Sequence, residues 1–149
     1  MDKLIAYFSA SGVTERAARD LASAAGAALY RIEPEKPYTA ADLDWTDRMS
    51  RSSEEMKDPF ARPSIKGACP DLSSYGIIYI GFPIWWGVAP RIINTFIESC
   101  DLKGKRIVIF ATSGGSPLSH AVMDLARKYP DLHFEEGKLL NGKAASDII

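Results

Sequence analysis

Three hydroxyl side chains, Ser9, Ser11 and Thr14, fall within one short stretch, S-A-S-G-V-T at 9–14, around Gly12. A strand-like run, K-L-I-A-Y-F at 3–8, precedes it. A helical run with apolar positions at Val13, Ala17, Ala18, Leu21, Ala22 and Ala25 follows it. The stretch is therefore a turn from a buried strand into a helix N-terminus, where unpaired backbone N–H groups and the positive end of the helix dipole converge. Such a turn binds anions. The hydroxyls add donors, and the glycine lets the backbone approach a ligand closely. The stretch has no Lys, so it is not the G-x-x-x-x-G-K-[ST] nucleotide loop, and it has no G-x-G-x-x-G dinucleotide fingerprint. What remains suits a phosphate monoester at the end of a short ligand. A plain hydroxyl N-cap is the competing reading.

Two other stretches have unusual chemistry. F-P-I-W-W-G-V-A at 82–89 offers an apolar, aromatic wall, and T-S-G-G-S at 112–116 offers hydroxyls and backbone donors. Each follows an apolar strand-like run, at 76–81 and 106–111 respectively. Two indoles side by side suit a flat ring. Trp86, next to Gly87, is expected to stack on it, while Trp85 is equally well explained as core. His120, one turn into the helix after the second loop, is expected mainly as a surface residue, and Arg16 is expected to face solvent. Tyr7 and the stretch 38–48 are candidates for shielding the site. His120 and His133 lack partners at metal-ligand spacing, so no metal site is expected.

The elements that must hold these loops alternate. Strands are expected at 3–8, 28–32, 76–81, 106–111 and 132–140, the last broken by Gly137. Helices are expected from 13 to about 25 with Gly26 as a stop, after Pro90, and from Pro117 to Pro130. Residues 33–75 carry Pro34, Pro37, Pro59, Pro63 and Pro70 and have the weakest periodicity. Thr39 to Asp42 reads as a capping box with Asp for Glu. This region is expected to hold one helix and a long surface excursion, with 58–70 extended. Alternating strands and helices imply a parallel sheet covered on both faces, with ligands beyond the carboxyl ends of its strands. All three loops belong to that edge.

The chain has 149 residues, is 46% hydrophobic and carries a net charge of −1. That fits one domain, and its scattered, balanced charges exclude a nucleic-acid footprint. No apolar run approaches the roughly 20 residues of a membrane span. Met1-Asp2-Lys3 runs straight into a strand, so no signal peptide and a cytoplasmic location are expected. Cys69 and Cys100 are far apart in sequence, and two free thiols are expected in that compartment.

Taken together, S-A-S-G-V-T at 9–14, G-F-P-I-W-W-G-V-A-P at 81–90 and T-S-G-G-S at 112–116 resemble the flavodoxin family, and within it the short bacterial flavodoxin-like proteins. P-Y-T at 37–39 and D-W-T-D-R at 44–48 resemble the same subgroup. The resemblance implies an α/β fold, a doubly wound five-stranded parallel sheet of order 2-1-3-4-5 with helices on both faces, and bound FMN. It implies that Ser9, Ser11, Gly12, Val13 and Thr14 bind the FMN phosphate. Pro83, Ile84, Trp85, Trp86 and Gly87 would line the isoalloxazine, and Thr112, Ser113, Gly114 and Gly115 would contact its other edge. It also implies a last helix, so that an end at Ile149 with apolar Ile148 beside it reads as a truncation.

The function expected is electron transfer through bound flavin, with a redox partner protein, or NAD(P)H and a small acceptor, as partners. An FMN-dependent NAD(P)H:quinone-type oxidoreductase and a non-redox FMN-binding module are the alternatives. Electron carrier versus enzyme is left open. The near-neutral charge and the 112–116 loop, without acidic or tyrosine residues, depart from many carriers. A phospho-acceptor receiver is excluded, because Ser9, Phe82 and Thr112 stand where that chemistry needs acids and a Lys.

Overall fold

The computed structural model describes residues 2–113 and 116–140. The chain forms β1 (Asp2–Tyr7), α1 (Val13–Ala25), β2 (Ala28–Arg31), α2 (Arg51–Lys57), β3 (Tyr75–Pro83), α3 (Arg91–Ser99), β4 (Arg106–Thr112), α4 (Leu118–Lys128) and β5 (His133–Leu139). The strands form one five-stranded sheet in the order β2-β1-β3-β4-β5, and every neighbouring pair is parallel. This is the expected architecture.

Alternation along β1 explains the two layers. Leu4, Ala6 and Phe8 face one core with Ile92, Ile93 and Phe96 of α3 and Leu118, Ala121 and Leu125 of α4. Ile5 and Tyr7 face the other core with Ala17, Ala18 and Leu21 of α1. A strand of period two wedged between helical layers must be apolar at every position, which is why β1, β3 and β4 read as continuous apolar runs. Tyr7 is consequently a core residue whose hydroxyl donates to Glu15 at 3.1 Å, and it does not shield the ligand edge. The helix punctuation also holds. Gly26 caps α1 in the left-handed region, Pro90 and Pro117 precede α3 and α4, and Tyr129 closes α4 one residue before Pro130.

Three expectations need correction. Gly137 does not break the last strand. β5 runs through it with a register irregularity against β4, and a β-carbon there would lie 2.5 Å from the carbonyl oxygen of Ile109. Glycine is required by that close approach. Val13 lies off the buried face of α1, and Thr14 takes the buried place instead. The cysteines are not free: Cys69 and Cys100 form a disulfide, their Cα atoms 5.6 Å apart. Sequence distance hid this because β3 and α3 form an out-and-back unit, which returns the end of α3 to the loop entering β3. The last helix implied beyond β5 lies outside the described residues.

The excursion is better ordered than its sequence suggests. Thr39 and Asp42 do form the reciprocal capping pair: the Thr39 N–H donates to the Asp42 carboxylate at 2.9 Å and the Asp42 N–H to the Thr39 hydroxyl at 3.1 Å. It closes only a turn, and the helix, α2, starts later at its own cap, Ser50. Farther on, Glu35 and Lys66 N–H groups donate to Ser64 and Glu33 carbonyls at 2.8 Å, pairing the two extended ends of the excursion.

Candidate functional site

The loop 9–14 is shaped by its own hydroxyl and glycine. The Gly12 N–H donates to Ser9 Oγ at 3.1 Å. Gly12 sits at φ +95°, a region that side chains disfavour, and serves as the N-cap of α1. No side chain caps that helix. Ser11, Gly12 and Val13 are exposed around its positive end. This corrects the plain hydroxyl-cap reading, because the helix start is left open to a solvent-side acceptor. Thr14 behaves differently from its neighbours. It is buried, and its hydroxyl pairs with that of Thr112, also buried, at 2.8 Å.

That contact ties the first loop to the third. A second ties the third to the aromatic stretch: the Ile84 N–H donates to the Thr112 carbonyl at 2.9 Å. Thr112 is therefore the point where the loops after β1, β3 and β4 meet. Beyond it, the Ser113 hydroxyl accepts from the Ser116 N–H at 2.8 Å. Gly114 and Gly115 lie outside the described residues.

Between Trp85 and Val88 the chain makes a tight two-residue turn. Trp85 N–H donates to Val88 O at 2.9 Å and Val88 N–H to Trp85 O at 3.1 Å. Trp86 and Gly87 occupy its corners at φ +50° and +82°. Left-handed backbone at both corners is the pattern of a type I′ turn, for which glycine is apt and tryptophan is not. A bulky residue held at positive φ marks a place where surrounding structure imposes the conformation, and such places cluster at functional sites. The consequence is that Trp86 is thrust outward, 53% exposed. His120 reaches this turn, its Cδ2 lying 3.5 Å from where a β-carbon on Gly87 would stand. It is an exposed residue of α4, as expected, and also a neighbour of the turn.

Trp85 turns inward. Its ring meets Phe8 edge-on at 5.7 Å and Tyr38 at 5.6 Å, and Phe8 and Tyr38 meet at 5.7 Å. Tyr38 is fixed in turn by α2. Its hydroxyl donates to Glu55, and the Arg51 guanidinium lies 3.8 Å over its ring while bonding Glu55 at 3.0 Å and the Lys36 carbonyl at 2.7 Å. Burial first, then the Glu55 carboxylate, raises the Tyr38 phenol above its ordinary value, so it stays a neutral donor. α2 is itself seated on α3, where Arg91 donates to Glu55 and Met56 carbonyls.

Tyr38 lies in the stretch 38–48 expected to shield the site and acts here as a brace for Trp85; Arg51 and Glu55 are the positioning residues that sequence reading missed. The only signal was the i,i+4 spacing of Arg51 and Glu55, which surface helices share. Trp45, inside the D-W-T-D-R stretch, belongs to the 38–48 segment expected to shield the site. It is 74% exposed and, with Leu43, Ser52, Ile84, Trp85 and Trp86, lines a cavity of about 390 Å3. Among the described residues no group of acidic, histidine or cysteine side chains could hold a metal.

The comparisons with known proteins agree with this architecture. The chain is similar to a candidate flavoprotein from Bacteroides eggerthii DSM 20697, at 53% identity and a TM-score of 0.96 over 99% of this chain and 92% of that one. A second candidate flavoprotein, from Bacteroides uniformis ATCC 8492, is 52% identical with a TM-score of 0.95, covering 99% and 94%. A flavoprotein crystallised in complex with FMN, from Lactobacillus acidophilus NCFM, has a TM-score of 0.74 over 93% and 92% of the two chains; at 23% identity the likeness is one of fold. None of the curated proteins matches the chain. The family model described as flavodoxin matches residues 2–149, and the chain belongs to the flavodoxin family.

Proposed function

We propose that the chain binds FMN at the joined loops and works as a redox protein through it. The observation that carries this reading is the junction at Thr112, which brings the open start of α1, the indole turn and the end of β4 together. The donor chemistry fits the ligand. An uncapped helix N-terminus with exposed Ser11 and a left-handed glycine suits a dianionic phosphate. An outward indole beside Ile84 suits a flat, largely apolar ring.

In this reading Ser9 shapes the phosphate loop, and Ser11, Gly12, Val13 and Thr14 hold the phosphate, Thr14 through its backbone since its hydroxyl engages Thr112. Pro83, Ile84, Trp85, Trp86 and Gly87 wall the isoalloxazine, Trp86 by contact and Trp85 by bracing. Thr112, Ser113, Gly114 and Gly115 face its other edge. Bound FMN supplies reversible electron uptake at its ring, while the protein supplies position and electrostatics. Gly87 tolerates either orientation of its flanking peptide, which suits a site where a ring nitrogen gains and loses a proton.

Electron transfer to a partner protein is the primary role in this proposal. The cavity beside Trp45 favours a second reading, an FMN-dependent oxidoreductase with a small acceptor. No helix among the described residues is long and apolar enough to cross a membrane. A cytoplasmic location stays part of the proposal, and the state of the Cys69–Cys100 pair in the cell is its check, since disulfides are rare there.

The test is titration of the FMN-free protein with FMN and with FAD, followed by flavin fluorescence. FMN is expected to bind and FAD to bind far more weakly, because the chain has one phosphate loop. Equal binding of both, or no binding of FMN, contradicts the assignment.

A further inference from the structure

The indole turn has two sides. Gly87 faces His120, in the first turn of α4. Ile84, Trp85 and Trp86 also face the excursion, where the cavity of about 390 Å3 opens. Among the described residues, its lining contains no member of the 9–14 loop and neither Thr112 nor Ser113. The volume falls in the range of small-molecule sites. Among the described residues no charged side chain lines it, and Ser52 is the one hydroxyl. Trp45 and Trp86 are both on its wall and both largely exposed, at 74% and 53%. Large exposed indoles on one small cavity are unusual on a monomer's surface, and they suit a ligand that covers them. Trp86 is held there by the left-handed turn, and Trp45 is flanked by a short anchored turn in which the Thr46 N–H donates to Asp44 at 3.0 Å.

We propose that this cavity is a second binding site, for a flat, uncharged aromatic molecule of the quinone type, with Trp45 and Trp86 as its stacking walls. Its role as the place of a small acceptor rests on the FMN reading above; its existence as a site does not. An anionic ring is disfavoured, because burial against indole and leucine strips its water with no cation among the described lining residues in return. A neutral bicyclic quinone has the shape and the polarity of the lining.

The experiment is calorimetric titration of menadione, and of an anionic naphthoquinone sulfonate, into the protein with and without FMN. Menadione is expected to bind both forms saturably, and the sulfonate at least about tenfold more weakly. Trp45→Ala, whose side chain lies outside the core, is expected to weaken menadione about tenfold and to change FMN affinity less than about twofold. If menadione competes with FMN, or if Trp45→Ala weakens both alike, the cavity belongs to the flavin ring and the proposal is overturned. If menadione does not bind saturably, or the sulfonate binds as well, the proposal is likewise overturned. Failure of FMN to bind the wild-type protein refutes the FMN reading alone, because the titration of the FMN-free protein still decides the cavity.

Discussion

The hydroxyl loop and the indole turn are built in opposite ways. The loop at 9–14 owes its shape to contacts a few residues apart: Ser9 to Gly12, a left-handed glycine, and the start of α1. The turn at 85–88 closes locally, but what gives each indole its place comes from elsewhere. Tyr38, Arg51 and Glu55 hold Trp85 from the excursion, Arg91 seats α2 on α3, and the Cys69–Cys100 disulfide closes the segment that contains the turn. A local device survives perturbation of distant elements, whereas a remote one inherits all of them. Reagents that loosen the excursion should therefore separate the two.

The largest separation is expected from the disulfide. Closing a loop with a sequence separation of 31 contributes about 3–4 kcal/mol by restricting the unfolded chain. Cys69→Ala with Cys100→Ala is expected to lose that much in urea denaturation, and hydrogen exchange should rise more in residues 69–100 than in α1. Equal stability of wild type with and without reductant would show that the bond is not formed in solution.

A smaller effect, on the shared junction, is expected at Thr14 and Thr112. Thr14→Val leaves a buried hydroxyl without its partner and should cost about 1–3 kcal/mol. Adding Thr112→Val removes the orphan and should restore much of the loss. Strictly additive losses in that double-mutant cycle would mean that the two hydroxyls are not coupled.

The smallest effect is expected at Glu98, which joins the excursion to α3 through Arg62 at 3.0 Å. The Arg62 guanidinium, aided by the Tyr129 hydroxyl, holds its carboxyl below the ordinary value of 4.5. Tyr129 is itself pushed up to about 12 by burial and by Glu98. A depressed carboxyl contributes stability above its unfolded value and loses it as pH falls through the folded one. Glu98→Gln should therefore flatten part of the acid limb below about pH 4.5. The side chain is 43% exposed, so at neutral pH the change should stay under about 1 kcal/mol. An unaltered acid limb would show that the bridge does not couple to folding.

The same contrast explains what could be read in advance. The strand positions, both proline-led helices and the glycine stop of α1 were visible because each depends on periodicity or a neighbouring residue. The turn at 9–14 into a helix start at Gly12 was visible for the same reason. The strand order, in contrast, followed from the family resemblance and not from any local pattern. Val13 is exposed because an apolar side chain at a helix start need not point inward, and the Thr14–Thr112 hydroxyl pair was not legible because it joins residues far apart in sequence. The disulfide, the burial of Tyr7 and the Tyr38–Arg51–Glu55 support all depend on which distant elements meet, and single-sequence patterns do not carry that. Trp86 was favoured over Trp85 from its place next to Gly87, and the left-handed backbone and 53% exposure of Trp86 agree that it is the one that faces out.

The most direct test of the account compares FMN with riboflavin, which lacks the phosphate, on three proteins: wild type, Ser11→Ala with Gly12→Val, and Trp86→Gly. Hydrogen bonds to a charged group are worth about 1.5–3 kcal/mol each, so the loop variant should lose FMN affinity by at least about tenfold and leave riboflavin unchanged. Trp86→Gly, which keeps a residue at ease with φ +50°, should weaken FMN and riboflavin by the same factor. Parallel loss of both ligands in the loop variant, or no loss of either in Trp86→Gly, would contradict the division of labour between the two loops.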